Sequence, residues 1–272
     1  MAGAITLGDR MKMYEGLATS DRLMPRLPVC IRVDGRAFHS FCRNMEKPFD
    51  GKMRAAMWQT AIYLVEETNA VVAHTFSDEI SLILFNEKPE SELLFGGKTF
   101  KLVSSIASLA TAGFNAFWTS ETFAYWKGRL PTFDCRVWQV PTKDEAVNML
   151  VWREQDSARN SIEACAQSMF SHKQLHKKCG GEMQDMMMEK GFNWNDVADY
   201  DKRGAYFRRV VEERELTDAE RMKIPEKHRP PKDQKVMRAL VDRIPLPRLT
   251  KIENRVEVIF EGAEPRLAPC DA

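Results

Sequence analysis

No run of apolar residues in this 272-residue chain approaches the length needed to span a membrane, and no segment repeats or falls into low complexity. A charge of one sign is lacking too. Forty lysines and arginines face 39 acids, a formal net charge of +1, so bulk charge selects no partner and any nucleic-acid surface must come from local clustering. The cysteines lack a repeated spacing: Cys30, Cys42, Cys135, Cys165, Cys179 and Cys270 are scattered, which excludes a disulfide framework and reads as reduced thiols. The opening "MAGAITLGDRMKMYEG" carries charge too early, and too little apolar length, for a secretory signal. Together these absences lead us to expect a soluble cytoplasmic protein without a membrane partner. Composition is that of a globular chain, 44% hydrophobic and 29% charged, long enough for one large domain or two small ones.

What is present is an ordered series of elements. "PVCIRV" reads as a short strand stopping at Asp34-Gly35. "GKMRAAMWQTAIYLVEETN" places Met53, Met57, Ala61, Leu64 and Val65 at helical spacing. "AVVAHTF" and "ISLILF" read as two strands joined at a tip that carries Ser77, Asp78 and Glu79, where asparagine and glycine would turn the chain more easily. "KTFKLVSSIASLATAGFNAFW" predicts a long buried helix and "FDCRVWQVP" a closing strand. The order β-α-β-β-α-β is that of ferredoxin-like folds, an α+β class with an antiparallel sheet and helices on one face. After Thr142 the chain predicts a mostly helical region broken around Ser171. Two late strands follow, "KRGAYFRRVVEE" and "NRVEVIFE", as a hairpin around a mobile insertion, "IPEKHRPPKDQK". We therefore expect a catalytic region over residues 1–142, and a helical, finger-like region over 143–272 packed with it as one unit.

This topology has a chemical consequence. Right-handed crossover makes the first two strands parallel, with the third antiparallel between them. Asp34 then leaves the first strand at the sheet edge where the Asp78 turn lies. Two carboxylates at one edge suit Mg²⁺, which takes oxygen ligands from one or two acids and from substrate phosphates. Gly35, without a Cβ, lets its carbonyl and the following amides approach a metal or a triphosphate. Asp134 and Arg136 reach the same edge, as does the loop with Arg36, Phe38, His39 and Lys47. The plainer alternative is two solvated polar turns.

"IRVDGRAFHSF", "FSDEISLIL", "FDCRVWQVP" and "WREQDSARNSI", in register from about residue 25 to 210, resemble the tRNA(His) guanylyltransferase family of 3′–5′ polymerases. The resemblance implies a polymerase-like palm that agrees with the topology above. It implies that Asp34, the carbonyl of Gly35 and Asp78 hold two Mg²⁺ ions, with Glu79 shaping the site as a third acid. It implies nucleotide contacts from Asp34, Gly35, Arg36, Ala37, Phe38, His39, Ser77 and Asp78, to which placement at the edge adds Lys47. The implied substrates are ATP, GTP and a tRNA, and the implied assembly is a homotetramer. Members that add G to tRNA(His) carry a His-Ile-Asn-Asn segment after the "WR" motif. Here those positions read Ala158, Arg159, Asn160 and Ser161, which looks like the branch that repairs 5′-truncated tRNAs on a template.

Templated 5′-end repair is thus the leading expectation. Addition of a single G to tRNA(His), a palm-fold nucleotide cyclase and a non-catalytic RNA-binding protein are the alternatives. Candidate contacts to RNA or phosphate are Lys98, Lys101, Arg136, Arg153, Arg159, Asn160, Lys202 and Arg203. A structural Asp134–Arg136 pair is favoured over a phosphate role for Arg136. His172, His176 and Cys179 have zinc-like spacing but lack a fourth ligand, so an exposed helix face is the favoured reading.

Overall fold

The computed structural model describes residues 6–88, 90–118 and 130–268. Cys270 lies outside them, as does the start of the connection from residue 119. In chain order the elements are α1 (Leu7–Thr19), β1 (Val29–Arg36), α2 (Phe38–Phe41), α3 (Gly51–Thr68), β2 (Val72–Phe76), β3 (Glu79–Leu84), α4 (Thr99–Phe117) and β4 (Thr132–Gln139). They continue with α5 (Lys143–Met169), α6 (His172–Leu175), α7 (Gly180–Glu189), α8 (Asp199–Arg203), β5 (Ala205–Glu215), α9 (Asp218–Met222), β6 (Lys235–Ile244) and α10 (Arg255–Phe260). All six strands form one sheet in the order β4-β1-β3-β2-β5-β6, with every pairing antiparallel.

The period-2 alternation of the strands sorts their side chains onto two faces. Val29, Ile31 and Val33 of β1, with Ile80, Leu82 and Leu84 of β3, join a core with Met57, Ala61 and Leu64 of α3 and Leu102, Ile106 and Phe114 of α4. Asp50 starts α3 by accepting from the amides of Lys52 and Met53, both at 2.9 Å. The intervening residues Cys30, Val72, Ile83 and Tyr206 meet Val147 and Leu150 of α5 and Val258 and Ile259 of α10. The palm helices α3 and α4 share one face, as expected, and α5 and α10 of the C-terminal region cover the other. The reason is that β1 and β3 are apolar at positions of both parities, as strands buried on two sides are.

One correction concerns the second half. β5 forms as expected, but its hairpin partner is β6. "NRVEVIFE" is instead helix α10, which lies against α5. The "IPEKHRPPKDQK" insertion lies between the hairpin strands, as expected, and contains a 3₁₀ turn at Glu226–His228 whose following Arg229 donates to the Ile224 carbonyl at 2.8 Å. Helix α1 was not expected at all, and it buries none of its residues. The methionines of "MQDMMMEKG" divide. Met187 is buried with Met183 and Met186 packed around it, whereas Met188 is 55% exposed.

Several polar groups are buried on the α5 face. His74, fully enclosed, donates from Nε2 to the Arg203 carbonyl at 2.8 Å, and burial pushes its pKa down to about 4. Gly204 makes this possible. It sits at φ +88°, and a Cβ there would lie 2.3 Å from that same His74 nitrogen. Glu154 of α5, 2% exposed, accepts from the Leu249 amide at 3.0 Å, and burial pushes its pKa up to about 7. An acid that holds its proton more tightly when folded loses stability as pH climbs from its ordinary value near 4.5 to about 7, then levels off. Glu154→Gln is expected to flatten that slope and add roughly 2–3 kcal/mol at pH 8 but little at pH 5. Urea unfolding at the two pH values checks this; an equal change at both would contradict it.

Candidate active site

The two acidic motifs meet at one end of the sheet. The amide of Gly35 donates to the Asp78 carbonyl at 3.0 Å, which ties the end of β1 directly to the β2–β3 turn. That turn is two residues long, since Phe76 pairs with Glu79. Ser77 takes φ +54° there, a left-handed conformation that costs a residue with a Cβ on the order of 1 kcal/mol or more. The chain accepts a strained serine where glycine would be easy. The Ser77 hydroxyl also hydrogen-bonds the Asp78 carboxylate.

Asp34 sits in the sheet between two other acids. Its register partners are Glu79 on β3 and Asp134 on β4, and cross-strand partners share a face, so three carboxylates stand in a row. The outer two are neutralised. Asp134 lies 3.5 Å from Arg136, with both side chains half-exposed. Glu79 receives Nε of Arg153 at 2.6 Å and Nη2 at 2.8 Å, with Arg32 at 3.8 Å. Burial raises the Glu79 pKa and Arg153 works against it; two short bonds from one guanidinium hold the group as a carboxylate. Among the described residues, neither Asp34 nor Asp78 forms an ion pair with a cationic side chain. Burial, and then repulsion from Asp34, push Asp78 up to about 6.

These acids open onto a cleft of about 810 Å³ between the sheet end, the start of α3, α5 and α8. Of the sequence-predicted residues, Asp34, Lys47, Ser77, Asp78, Glu79, Arg153, Arg159 and Asn160 line it together. Gly35 adjoins it. Its lack of a Cβ has a reason beyond ligand access, because a methyl there would lie 2.4 Å from the Phe38 ring. Phe38 itself is 2% exposed, packed against Phe41, Phe114 and Phe133, so its side chain belongs to the core and not to a nucleotide pocket. Arg36, Ala37 and His39 lie on the exposed run just beyond, outside the cleft lining.

Of the expected RNA or phosphate contacts, Arg153 and Lys202 are buried, and others lie away from the cleft or are paired. Arg153 is 8% exposed and shared between Glu79 and Asp156, so it serves the site's interior. Lys202 is 9% exposed, and its ammonium donates to the Asn195 carbonyl at 2.6 Å. Arg203 pairs with Asp199. Lys98 and Lys101 are exposed around the start of α4, away from the cleft, with Lys101 over the Phe95 ring. Ser161 is buried, donating to the Asp201 carbonyl at 2.7 Å and accepting from the Trp194 indole at 3.0 Å. Residues the sequence did not single out include Arg54, whose guanidinium grips Asp201 at 2.8 and 3.0 Å beside Trp58 and Tyr200. The only signal for it was its place in the first turn of α3.

The donor set can be tested against a divalent cation. Among the described residues, no group of three or more His, Cys, Asp or Glu side chains is arranged to hold a metal, and the His172 and His176 rings stand 6.4 Å apart. Two unneutralised carboxylates beside a backbone carbonyl, with open cleft in front, fit an ion that draws its other ligands from phosphate and water. They fit Mg²⁺ better than a fully protein-caged metal. Among the described residues, no helix is long and apolar enough to cross a membrane.

Comparison with known proteins agrees with this geometry. The family model described as "Thg1: tRNAHis guanylyltransferase" matches residues 8–141. A bacterial tRNA(His) guanylyltransferase (Thg1)-like protein solved in complex with ATP is 40% identical, with a TM-score of 0.69 over 75% of this chain and 87% of its own. A bacterial protein of the same description solved with GTP is 30% identical, with a TM-score of 0.68 over 92% of this chain and 98% of its own. The tRNA(His) guanylyltransferase of Schizosaccharomyces pombe is 34% identical over 155 residues, 56% of each chain. With its palm topology, its paired aspartates and these relatives, the chain belongs to the tRNA(His) guanylyltransferase family and is a nucleotidyltransferase of that type.

Proposed function

We propose that the cleft transfers a guanylyl unit to the 5′ end of a tRNA after that end has been activated by ATP or GTP. The observation that carries this reading is the convergence of Asp34 and Asp78, unneutralised and linked through Gly35, at the rim of an open cleft. The relatives described as tRNA(His) guanylyltransferases support single-G addition, and they put it ahead of the templated repair that the sequence favoured. In the first step an oxygen of the RNA's 5′-monophosphate attacks the α-phosphorus of the nucleoside triphosphate and pyrophosphate leaves. In the second the 3′-hydroxyl of GTP attacks the RNA's 5′ phosphorus and expels the nucleoside monophosphate.

Asp34, Asp78 and the Gly35 carbonyl are the groups that would hold two Mg²⁺ ions. When bound, such ions lower the pKa of the attacking hydroxyl and neutralise charge on the leaving group. The chain's own contribution is placement. Lys47, exposed at the rim, is set to meet triphosphate oxygens, and the Ser77–Asp78 turn holds the second carboxylate in one orientation. Glu79 fixes the end of β3 through Arg153 and is a positioning residue, not a ligand.

Templated addition of several nucleotides is the second reading, favoured by one observation. Of the four positions matching His-Ile-Asn-Asn, only Asn160 keeps the family's residue, and Ser161 is committed to internal hydrogen bonds. The test uses purified protein, Mg²⁺, ATP and the four nucleoside triphosphates with two 5′-phosphorylated RNAs, a tRNA(His) lacking its extra G and a 5′-truncated tRNA. One G on the first supports the proposal. Stepwise extension of the second supports templated repair, and no extension of either, or a cyclic nucleotide made without RNA, overturns both.

A further inference from the structure

A second depression, of about 440 Å³, lies beside the cleft on the α5 face of the sheet and shares Arg32 and Trp152 with it. Arg136, Trp138, Asn148 and Met149 complete most of its lining, with Glu145 at its edge. Nothing in the chemistry described so far uses it.

Its charges are unusual. Arg32 and Arg136 are direct cross-strand partners on β1 and β4, so two guanidiniums stand side by side where like charges repel. Acids serve them incompletely. Among the described residues, Arg136 has only the half-exposed Asp134 at 3.5 Å. Arg32 reaches Glu79 at 3.8 Å, but that carboxylate is already doubly bound by Arg153, and the buried Nε of Arg32 has no hydrogen-bond partner among the described residues. Glu145 accepts from Asn148 at 3.1 Å. A phosphodiester would answer both arginines.

The wall between the two depressions is Trp152. The guanidinium carbons of Arg32 and Arg153 stand 5.5 and 4.5 Å from its ring centre, yet 47% of the residue stays exposed. A half-exposed indole beside a cationic groove is the arrangement by which single-stranded nucleic acid is held, base on ring and backbone on charge. The depression is too small for a duplex and in the range of a site for one small ligand.

We propose that this groove binds an unpaired nucleotide of the RNA substrate next to the reacting 5′ end, with its base stacked on Trp152 and its phosphate on Arg136 and Arg32. Continuity favours RNA over a free nucleotide, since the two residues that wall the groove also wall the cleft. The proposal deepens the reading that the cleft acts on an RNA 5′ end and rests on it.

The test compares full-length wild type with Trp152→Ala, Trp152→Phe and Arg136→Ala. Binding of a 5′-labelled RNA with an unpaired 5′ end is measured by anisotropy without turnover, and KM for RNA and for GTP are measured with turnover. Trp152→Ala is expected to weaken RNA binding and raise its KM about tenfold, with GTP KM unchanged and most of the loss recovered in Trp152→Phe. Arg136→Ala, at a half-exposed position, is expected to weaken RNA binding severalfold and to shallow its salt dependence. Unchanged RNA binding in both alanine variants overturns the proposal. So does a rise in GTP KM alone, which marks a free-nucleotide site, or a change in oligomeric state on sizing, which marks a subunit contact. Wild type that binds this RNA but extends none would instead fail the reading of the cleft and leave the groove standing.

Discussion

Asp78→Asn is expected to lower kcat for nucleotidyl transfer by about 10³-fold or more and, without metal, to raise the melting temperature by several degrees. The two effects have one cause. Asp78 ionises in a place that burial and the neighbouring Asp34 both make unfavourable, which is why its pKa stands at about 6 instead of 3.8. The sign follows from that shift. Above pH 6 the folded chain carries a charge that the unfolded chain carries more easily, so stability falls as pH rises from about 4 to about 6 and stays low beyond it. Asparagine keeps the size and the acceptor oxygen and removes the charge, which returns on the order of 1–3 kcal/mol at pH 7.5. The same charge is what a divalent cation and a triphosphate need, so the catalytic loss is of the size seen when one preorganised electrostatic group is removed. Thermal melts in EDTA and in Mg²⁺, alongside single-turnover assays, check both halves. In Mg²⁺ the order of the melts should move toward the wild type, because only the wild type gains from binding the ion. A metal-free melting temperature that falls, or activity within tenfold of wild type, would sink the assignment.

The second large effect belongs to Arg153. Arg153→Ala is expected to cost about 3–5 kcal/mol, since it leaves the largely buried Glu79 without its bidentate partner in a row of acids. Glu79→Gln combined with Arg153→Met should recover much of the loss, because two neutral side chains of similar volume leave no uncompensated charge. Denaturant unfolding of the two single variants and the double variant forms a closed cycle. Additive losses would show that the pair is a surface ornament. A coupling of several kcal/mol, with the double variant stable but slow, would show that Glu79 orients β3 through Arg153.

Much of this site was legible in the residues, for physical reasons that can be named. The palm order was readable because each element keeps one period for long enough, and the Asp34–Asp78 meeting followed from chain direction alone. Other features were hidden. "NRVEVIFE" offers apolar residues at Val256, Val258 and Phe260, which fits a strand, and also the adjacent Val258 and Ile259. The fold buries those two neighbours in one cluster against α5, on the same side of the element, which a helix allows and a strand does not. β6 went unseen because Arg238 occupies an inward position of its alternation. Arg153 and Lys202 look like solvated helix charges, and only the parity of β3, which turns Glu79 toward α5, reveals that Arg153 is an interior group. Glycine at position 35 was explained by ligand access alone, because the ring of Phe38 comes to rest over it only in three dimensions.

The β5–β6 hairpin has a mechanical side. β2 pairs with β5 only at Ala205–Phe207, while β6 runs alongside β5 from Tyr206 out to Glu215. Past Phe207 the ribbon has no third strand among the described residues; Arg208, Arg209 and the buried Val241 still tie it to α10, Asn69 and the core, so a beam clamped at one end would bend only beyond them. Swinging its tip need not disturb the register of Asp34 against Glu79, three strands inward. The catalytic end and the outer arm are thus anchored separately.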